Sequence, residues 1–323
     1  MAVNGQLVNI ASYQCKAGDV VKIFNARLSG VLGPAEAEEE FRFFAGGGHP
    51  LLQRMDPALS GTILHYLDLF GAMIPAGFDF GNGSIGNFIL TGAYLAHDND
   101  INAAILEFRR LLGISGHVWP SSIQPDVQLS ARLGSGHEVY GQHVVTSLDG
   151  EEAALGISDI ALTSRASGGA VNANPLILGA IARADAVVFG PGSFYASILP
   201  HLLVQGVPQA LAANRHARRI FIGNILECPE TRGANLAGLV EVFIERMQRA
   251  TGEAPFLTHI LSNRELFPFA KTVGRFRYLR EGRIEALGQE RGIAVISSEF
   301  EDAWNRGQHD GEEVAAAILR LVG

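Results

Sequence analysis

The residues best suited to chemistry lie where a short apolar run meets glycines. Ala186-Val-Val-Phe189 is followed by Gly190-Pro191-Gly192-Ser193. A buried strand would deliver the chain to a sheet edge, and two glycines would let the backbone turn tightly and approach a ligand. A helix starting there presents free N–H groups and the positive end of its dipole, an arrangement that suits a phosphate. Ser193 could donate its hydroxyl to that anion. The same residues also fit a plain Gly-Pro turn with a serine N-cap. A second cluster, Gly81-Asn-Gly-Ser84-Ile-Gly86-Asn87, has the spacing G-x-G-x-x-G. It lacks the preceding buried strand and the later acidic residue of a dinucleotide fingerprint. It reads either as a helix-start loop capped by Ser84 or as a pocket wall of amides. A third lies after Ile220-Phe-Ile222: Asn224, then Glu227, Cys228, Pro229, Glu230 and Thr231. In an open α/β sheet this position and Gly190–Ser193 share the edge where ligands bind. The alternative is a loop held by Asx and Thr turns.

Other chemistry is poorly represented. His97, His117, His137, His143, His201 and His216 are scattered, with no His-x-x-x-His pair. Asp98 and Asp100 read as helix caps rather than metal ligands. No Gly-x-Ser-x-Gly elbow and no Walker A motif is present. The expected site therefore contains no metal ligands and no evident general base.

The elements that position these residues follow from hydrophobic spacing. Residues 51–73, 84–95 and 99–112 are expected as helices. The acidic run from Glu36 to Glu40 is expected as a solvated helical face. Alternation at Val127, Leu129, Ala131 and Leu133, a Gly134-Ser-Gly136 turn, and residues 138–146 predict a β-hairpin. Residues 157–163 add a strand. From Pro175 onward strand and helix alternate: helices at 176–183, 194–203 and 236–248, and strands at 186–189, 220–222, 257–261 and 293–296. The last helix starts near Asp310. This pattern predicts an α/β fold with a Rossmann-like, mostly parallel sheet flanked by helices and a small β-hairpin excursion. One domain is expected over 1–323. It would contain an irregular segment at 1–50, the hairpin region at 125–165 and the strand–helix half at 175–300.

Composition narrows the classes of function. The chain has 323 residues, 47% hydrophobic and 18% charged, which excludes intrinsic disorder. A net charge of −8 and a pI near 5.7 give no footprint for a nucleic-acid partner. Prolines, glycines and polar residues interrupt the most apolar stretch, 186–213, so no membrane span is expected. Two cysteines, Cys15 and Cys228, cannot build a disulfide scaffold, and a cytoplasmic location is expected.

Taken in order, Ser84–Leu90, Gly116-His-Val-Trp-Pro-Ser121, Ala184–Pro200 and Ile220–Asn224 resemble the CofD/YvcK superfamily. The resemblance runs from about residue 63 to 280. It implies a nucleotide or nucleotide-sugar in a cleft at the strand ends; a homodimer is common for such folds, and the broken apolar stretch gives no membrane partner. Gly190, Pro191, Gly192 and Ser193 match the family's phosphate-contacting loop, with Asn224 and Thr231 in its second loop. Ser84, Gly86 and Asn87 match the family's helix-entry motif and Glu230 its second loop, and the resemblance implies that these four line the substrate pocket. One branch implies transfer of a phospholactyl group from a guanosine diphosphate donor to a deazaflavin-type hydroxyl, with Mg²⁺. The other implies a non-catalytic UDP-sugar-binding regulator of carbon metabolism and cell shape. A scaffold that binds nothing tightly is the third expectation. The family's usual Gly-Gly-Gly-Thr-Gly loop and Asp-Asp-Gly-Gly segment do not occur in this sequence. Residues 1–50 are accordingly expected as a diverged or truncated counterpart.

Overall fold

The computed structural model describes residues 18–111, 116–166, 168–253, 256–265, 269 and 271–323. Cys15 and Leu112 lie outside them. The chain divides into two compact units, 1–123 and 124–323.

The first unit is helical. Its helices are α1 (Gly18–Asn25), α2 (Pro34–Ala45), α3 (Pro50–Arg54), α4 (Pro57–Met73), α5 (Ile85–Ala96) and α6 (Ile101–Leu111). The single helix expected at 51–73 is split. Asp56 ends α3 and caps α4, accepting from the Ala58 and Leu59 N–H groups, and Pro57 occupies the first helical turn. Asp100 caps α6 in the same way, through Asn102 and Ala103. Phe41, Phe70, Phe80 and Phe88 form an aromatic cluster at the centre of this unit. Helix α2 carries the acidic run, with Ala37, Phe41 and Phe44 turned inward.

The second unit holds the strands. An antiparallel sheet of order β2-β1-β3 comprises β1 (Val127–Leu133), β2 (Glu138–Tyr140) and β3 (Ile157–Ser164). The strand expected to continue to residue 146 ends at Tyr140. Gly141, at φ +96°, turns the chain into a short helix, α7 (Gln142–Thr146), followed by α8 (Gly150–Leu155). Helix α9 (Pro175–Arg183) leads to β4 (Ala186–Phe189). The helix expected at 194–203 is a π-helical turn, Phe194–Ile198, running into a 3₁₀ turn, Leu199–Leu203. Pro200 has no N–H with which to continue a regular helix. Then come α10 (Val207–Ala213), β5 (Arg218–Ile222), α11 (Leu236–Thr251) and β6 (His259–Asn263). A small antiparallel arm, β7 (Thr272–Val273) and β8 (Phe276–Arg277), precedes α12 (Ile284–Arg291), β9 (Ala294–Ser298) and α13 (Gly311–Val322).

Strands β4-β5-β6-β9 form one parallel sheet in that order. Alternate residues of a strand face opposite sides. Phe221 and Ile260 pack with Phe243 and Val240 of α11, whereas Ile220, Ile222 and Leu261 pack with Val314 and Ala317 of α13. Helices thus cover both faces of the sheet at β5 and β6, which explains the apolar run Ile220–Ile222, whereas the edge strand β4 leaves Val188 exposed. Because all four strands are parallel, the loops after Phe189, Ile222, Asn263 and Ser298 leave the sheet at one edge. Among the described residues no helix is long and apolar enough to cross a membrane.

Candidate functional site

The carboxyl edge of the parallel sheet begins with the Gly190–Ser193 loop. Gly190 sits at φ +89°, and a Cβ on it would come 2.9 Å from the Ile222 carbonyl. Glycine is therefore demanded there by the close passage of β5. Gly192 is different. A Cβ would meet only Ile198 and Ser197 at 4.0 Å, so the fold itself leaves room for a side chain. The Gly192 N–H is not free to bind an anion, because it donates to Asn224 Oδ1 at 3.1 Å. Asn224 Nδ2 in turn donates to the Gly192 carbonyl at 2.8 Å. Asn224 thus fixes the loop, and both atoms of its amide face the backbone.

The start of the following turn is also occupied. The Tyr195 N–H donates to Glu230 Oε1 at 3.2 Å, so a carboxylate of this chain takes the place offered to a phosphate. Glu230 is 2% exposed and its Oε2 has no partner among the described residues. Burial pushes its carboxyl up to about 7. Ser193 caps nothing with its side chain and stays half-buried at the surface. Thr231, expected to face ligand, is buried: its hydroxyl accepts from the Cys228 N–H at 3.0 Å. Cys228 lies beside it, its thiol pushed up to about 11 chiefly by burial, so it is not a thiolate at neutral pH. Glu230, expected in the substrate pocket, is buried beside them. Pro229 starts a 3₁₀ turn, Pro229–Thr231, that tucks both side chains inward.

Ser84, Gly86 and Asn87 belong to the first unit. Ser84 Oγ caps α5 by accepting from the Asn87 N–H at 3.3 Å, and the backbone is pinned to Ala26 and Leu28. Gly86 is buried in the helix. The helix-start alternative describes this segment.

Sequence reasoning missed the arm. Residues 277–281 lie along the loop after β5: the Glu227 N–H donates to the Arg277 carbonyl, and the Leu279 N–H to the Ile225 carbonyl. The Leu236 N–H donates to the Arg280 carbonyl. This docking encloses a cleft of about 740 Å³ lined by Ile225, Asn263, Tyr278 and Leu279. Lys271, Arg277 and Arg280 line it too, with the carboxylates Glu227, Glu265 and Glu281. The Tyr278 hydroxyl donates to the buried Glu301 at 2.7 Å, which fixes the ring at the wall. Asn224 immediately precedes Ile225, so the glycine loop adjoins this cleft. The missed signal was the density of cations between Lys271 and Arg283 in an acidic chain.

Among the described residues no three His, Cys, Asp or Glu side chains converge as metal ligands would. Glu230 faces backbone amides, Glu227 accepts from Gly233 and Glu281 accepts from Ser262. These donors do not fit a Mg²⁺ site.

Comparison with known proteins agrees with this architecture. A family model described as 2-phospho-L-lactate transferase CofD matches residues 27–300. The gluconeogenesis factor of Listeria monocytogenes serovar 1/2a is 29% identical over 269 residues, covering 82% of this chain and 77% of that protein. A protein of Nostoc sp. PCC 7120, provisionally given the same name, is 27% identical over 268 residues, or 79% of this chain. The match spans only about half, 54%, of the Nostoc protein's length. A crystal structure of a UPF0052 family member from Bacillus halodurans superposes with a TM-score of 0.63 at 24% identity. It covers 81% of this chain and 82% of that one. At that identity the likeness is one of fold.

Proposed function

Because the chain belongs to the CofD family, we propose that it binds a nucleotide-sugar in the 740 Å³ cleft and acts as a gluconeogenesis-factor-type regulator. The observation that carries this reading is the mixed lining of the cleft. Lys271, Arg277 and Arg280 can hold a diphosphate, while Glu265, Glu281 and Asn263 can accept from or orient ribose and sugar hydroxyls. The volume falls within the roughly 300–1,000 Å³ typical of small-molecule sites. The bare Cα of Gly192 and the uncommitted Ser193 hydroxyl would let the ligand rest against the glycine loop. A nucleotide or nucleotide-sugar is thus the small-molecule partner.

The second reading is phospholactyl transfer from a guanosine diphosphate donor to a deazaflavin-type hydroxyl. The description of the family model favours it. Such transfer needs neutralisation of charge at phosphorus and a group to receive the hydroxyl proton. The arm's cations meet the first need. Against the second, Glu230 is buried with its carboxyl turned to backbone.

Titration calorimetry with UDP-N-acetylglucosamine, GDP and GMP, each with and without Mg²⁺, separates the readings. Binding of the UDP-sugar without metal supports the regulator. Binding of GDP that requires Mg²⁺ overturns it in favour of the transferase. Silence across the panel overturns both.

A further inference from the structure

A smaller cleft opens beside the first and shares Glu227, Gly233 and Arg277 with it. Its volume is about 260 Å³, and Cys228, Pro229, Arg232, Arg275 and Phe276 complete the lining. Its charge differs from that of its neighbour. The larger cleft sets three cations against three carboxylates, Lys271, Arg277 and Arg280 against Glu227, Glu265 and Glu281. The smaller sets three guanidiniums, Arg232, Arg275 and Arg277, against Glu227 alone, leaving two positive charges. Among the described residues none of those three arginines makes an ion pair, although the chain carries a net charge of −8. Eight other arginines among the described residues do pair with carboxylates.

The arm restrains the Arg275 guanidinium and the backbone that carries Arg277. Arg275 lies over the Phe276 ring, 5.0 Å from its centroid, which limits its rotamers while leaving its N–H edge available. The backbone carbonyl of Arg277 is tied to the Glu227 N–H at 2.8 Å, and the antiparallel pairing of β7 with β8 fixes the turn that carries Arg275. Glu227 is not a competing partner for all three, since its Oε2 accepts from the Gly233 N–H.

We propose that the 260 Å³ cleft is a second site, selective for a small dianion such as a phosphomonoester, and distinct from the nucleotide-sugar cleft. Two excess positive charges match the charge of a phosphomonoester at neutral pH, and the planar forks match its oxygens. The volume lies below the usual range for nucleotide-sized ligands. Arg277 lines both clefts, so an anion in one draws on a cation that the other also uses, and the two ligands weaken each other's binding. The anion site stands without the nucleotide reading; the coupling rests on that reading.

The test uses calorimetry and ³¹P NMR on the full chain, with inorganic phosphate and methyl phosphate as probes. Exposed Arg232→Gln, Arg275→Gln, Lys271→Gln and Arg277→Gln variants are compared after their melting temperatures are shown to match. Arg232→Gln and Arg275→Gln should each weaken phosphate about tenfold or more and leave UDP-N-acetylglucosamine within about twofold. Lys271→Gln should do the reverse, and Arg277→Gln should weaken both. Saturating methyl phosphate should raise the apparent Kd of the nucleotide-sugar by a bounded factor. Absence of phosphate binding at millimolar concentration would overturn the proposal, as would indifference to both Arg232→Gln and Arg275→Gln. Complete mutual exclusion with identical variant profiles would reduce the two clefts to one site and also overturn it. Phosphate binding with the expected profile but no nucleotide binding would retain the anion site and sink the nucleotide reading alone.

Discussion

The Gly190–Ser193 loop and the arm at residues 271–281 both border the carboxyl edge of the parallel sheet, yet they contribute in opposite ways. The loop has the composition of an anion cradle, but its groups are engaged within the protein. Gly192 binds Asn224, and Glu230 accepts the Tyr195 N–H. The arm has no motif, but it brings Lys271, Arg275, Arg277 and Arg280 to the clefts, where Arg275 and Arg277 are without ion pairs among the described residues. A glycine-rich turn at a strand end therefore shows where a ligand can approach. Which groups meet its charge depends on how a later, sequence-distant segment folds back.

The largest expected effect tests whether Glu230 serves as the loop's internal anion. Its folded-state carboxyl lies near 7, above the ordinary 4.5, so the folded state binds more protons between these values. The contribution favours folding most below the unfolded value and is lost as pH rises through about 7. On the order of 3 kcal/mol of stability should disappear between pH 4.5 and 8 from this group. Glu230→Gln should flatten that part of the melting-temperature profile. An unchanged slope would show that the carboxylate is stabilised by the loop rather than destabilised by burial.

Gly190→Ala should come next, costing about 2–3 kcal/mol through the positive φ and the clash with Ile222. Gly192→Ala, two residues on, should stay within about 0.5 kcal/mol in chemical denaturation. Equal losses would erase the distinction between a glycine required by the fold and one left for a ligand. Asn224→Ala removes both hydrogen bonds to Gly192 and should cost about 1–2 kcal/mol. It should also raise amide hydrogen exchange at Gly192, and no change there would detach Asn224 from the loop. The smallest stability effect is expected for Arg277→Gln, within about 0.5 kcal/mol, since the exposed side chain has no ion-pair partner among the described residues.

Much of the scaffold was legible because its signals are local. The apolar runs Ala186–Phe189 and Ile220–Ile222 are strands as expected, although the first lies at the sheet edge with Val188 exposed, and Ser84 and Asp310 cap the helices their types announce. Helix 51–73 was read as one element because apolar spacing continues through Asp56-Pro57, where the backbone stops it. The run after Tyr140 was read as strand because β-branched residues suit both a strand and the short helix that Gly141 initiates. At the site, Gly190–Ser193 and Asn224 were found by position at the strand ends. Burial of Glu230 and Thr231 was not legible, since it depends on a three-residue turn packing inward beside Tyr195. The arm was missed because two-residue strands leave no periodicity, and the contacts that fold it over β5 join residues about fifty apart.

The most direct test of the central claim compares two exposed or half-buried variants in one titration with UDP-N-acetylglucosamine. Arg277→Gln should weaken binding about tenfold or more, with a shallower dependence on salt, while Ser193→Ala should change it by no more than about threefold. Full affinity in Arg277→Gln together with a large loss in Ser193→Ala would contradict the account and return the anion to the glycine loop.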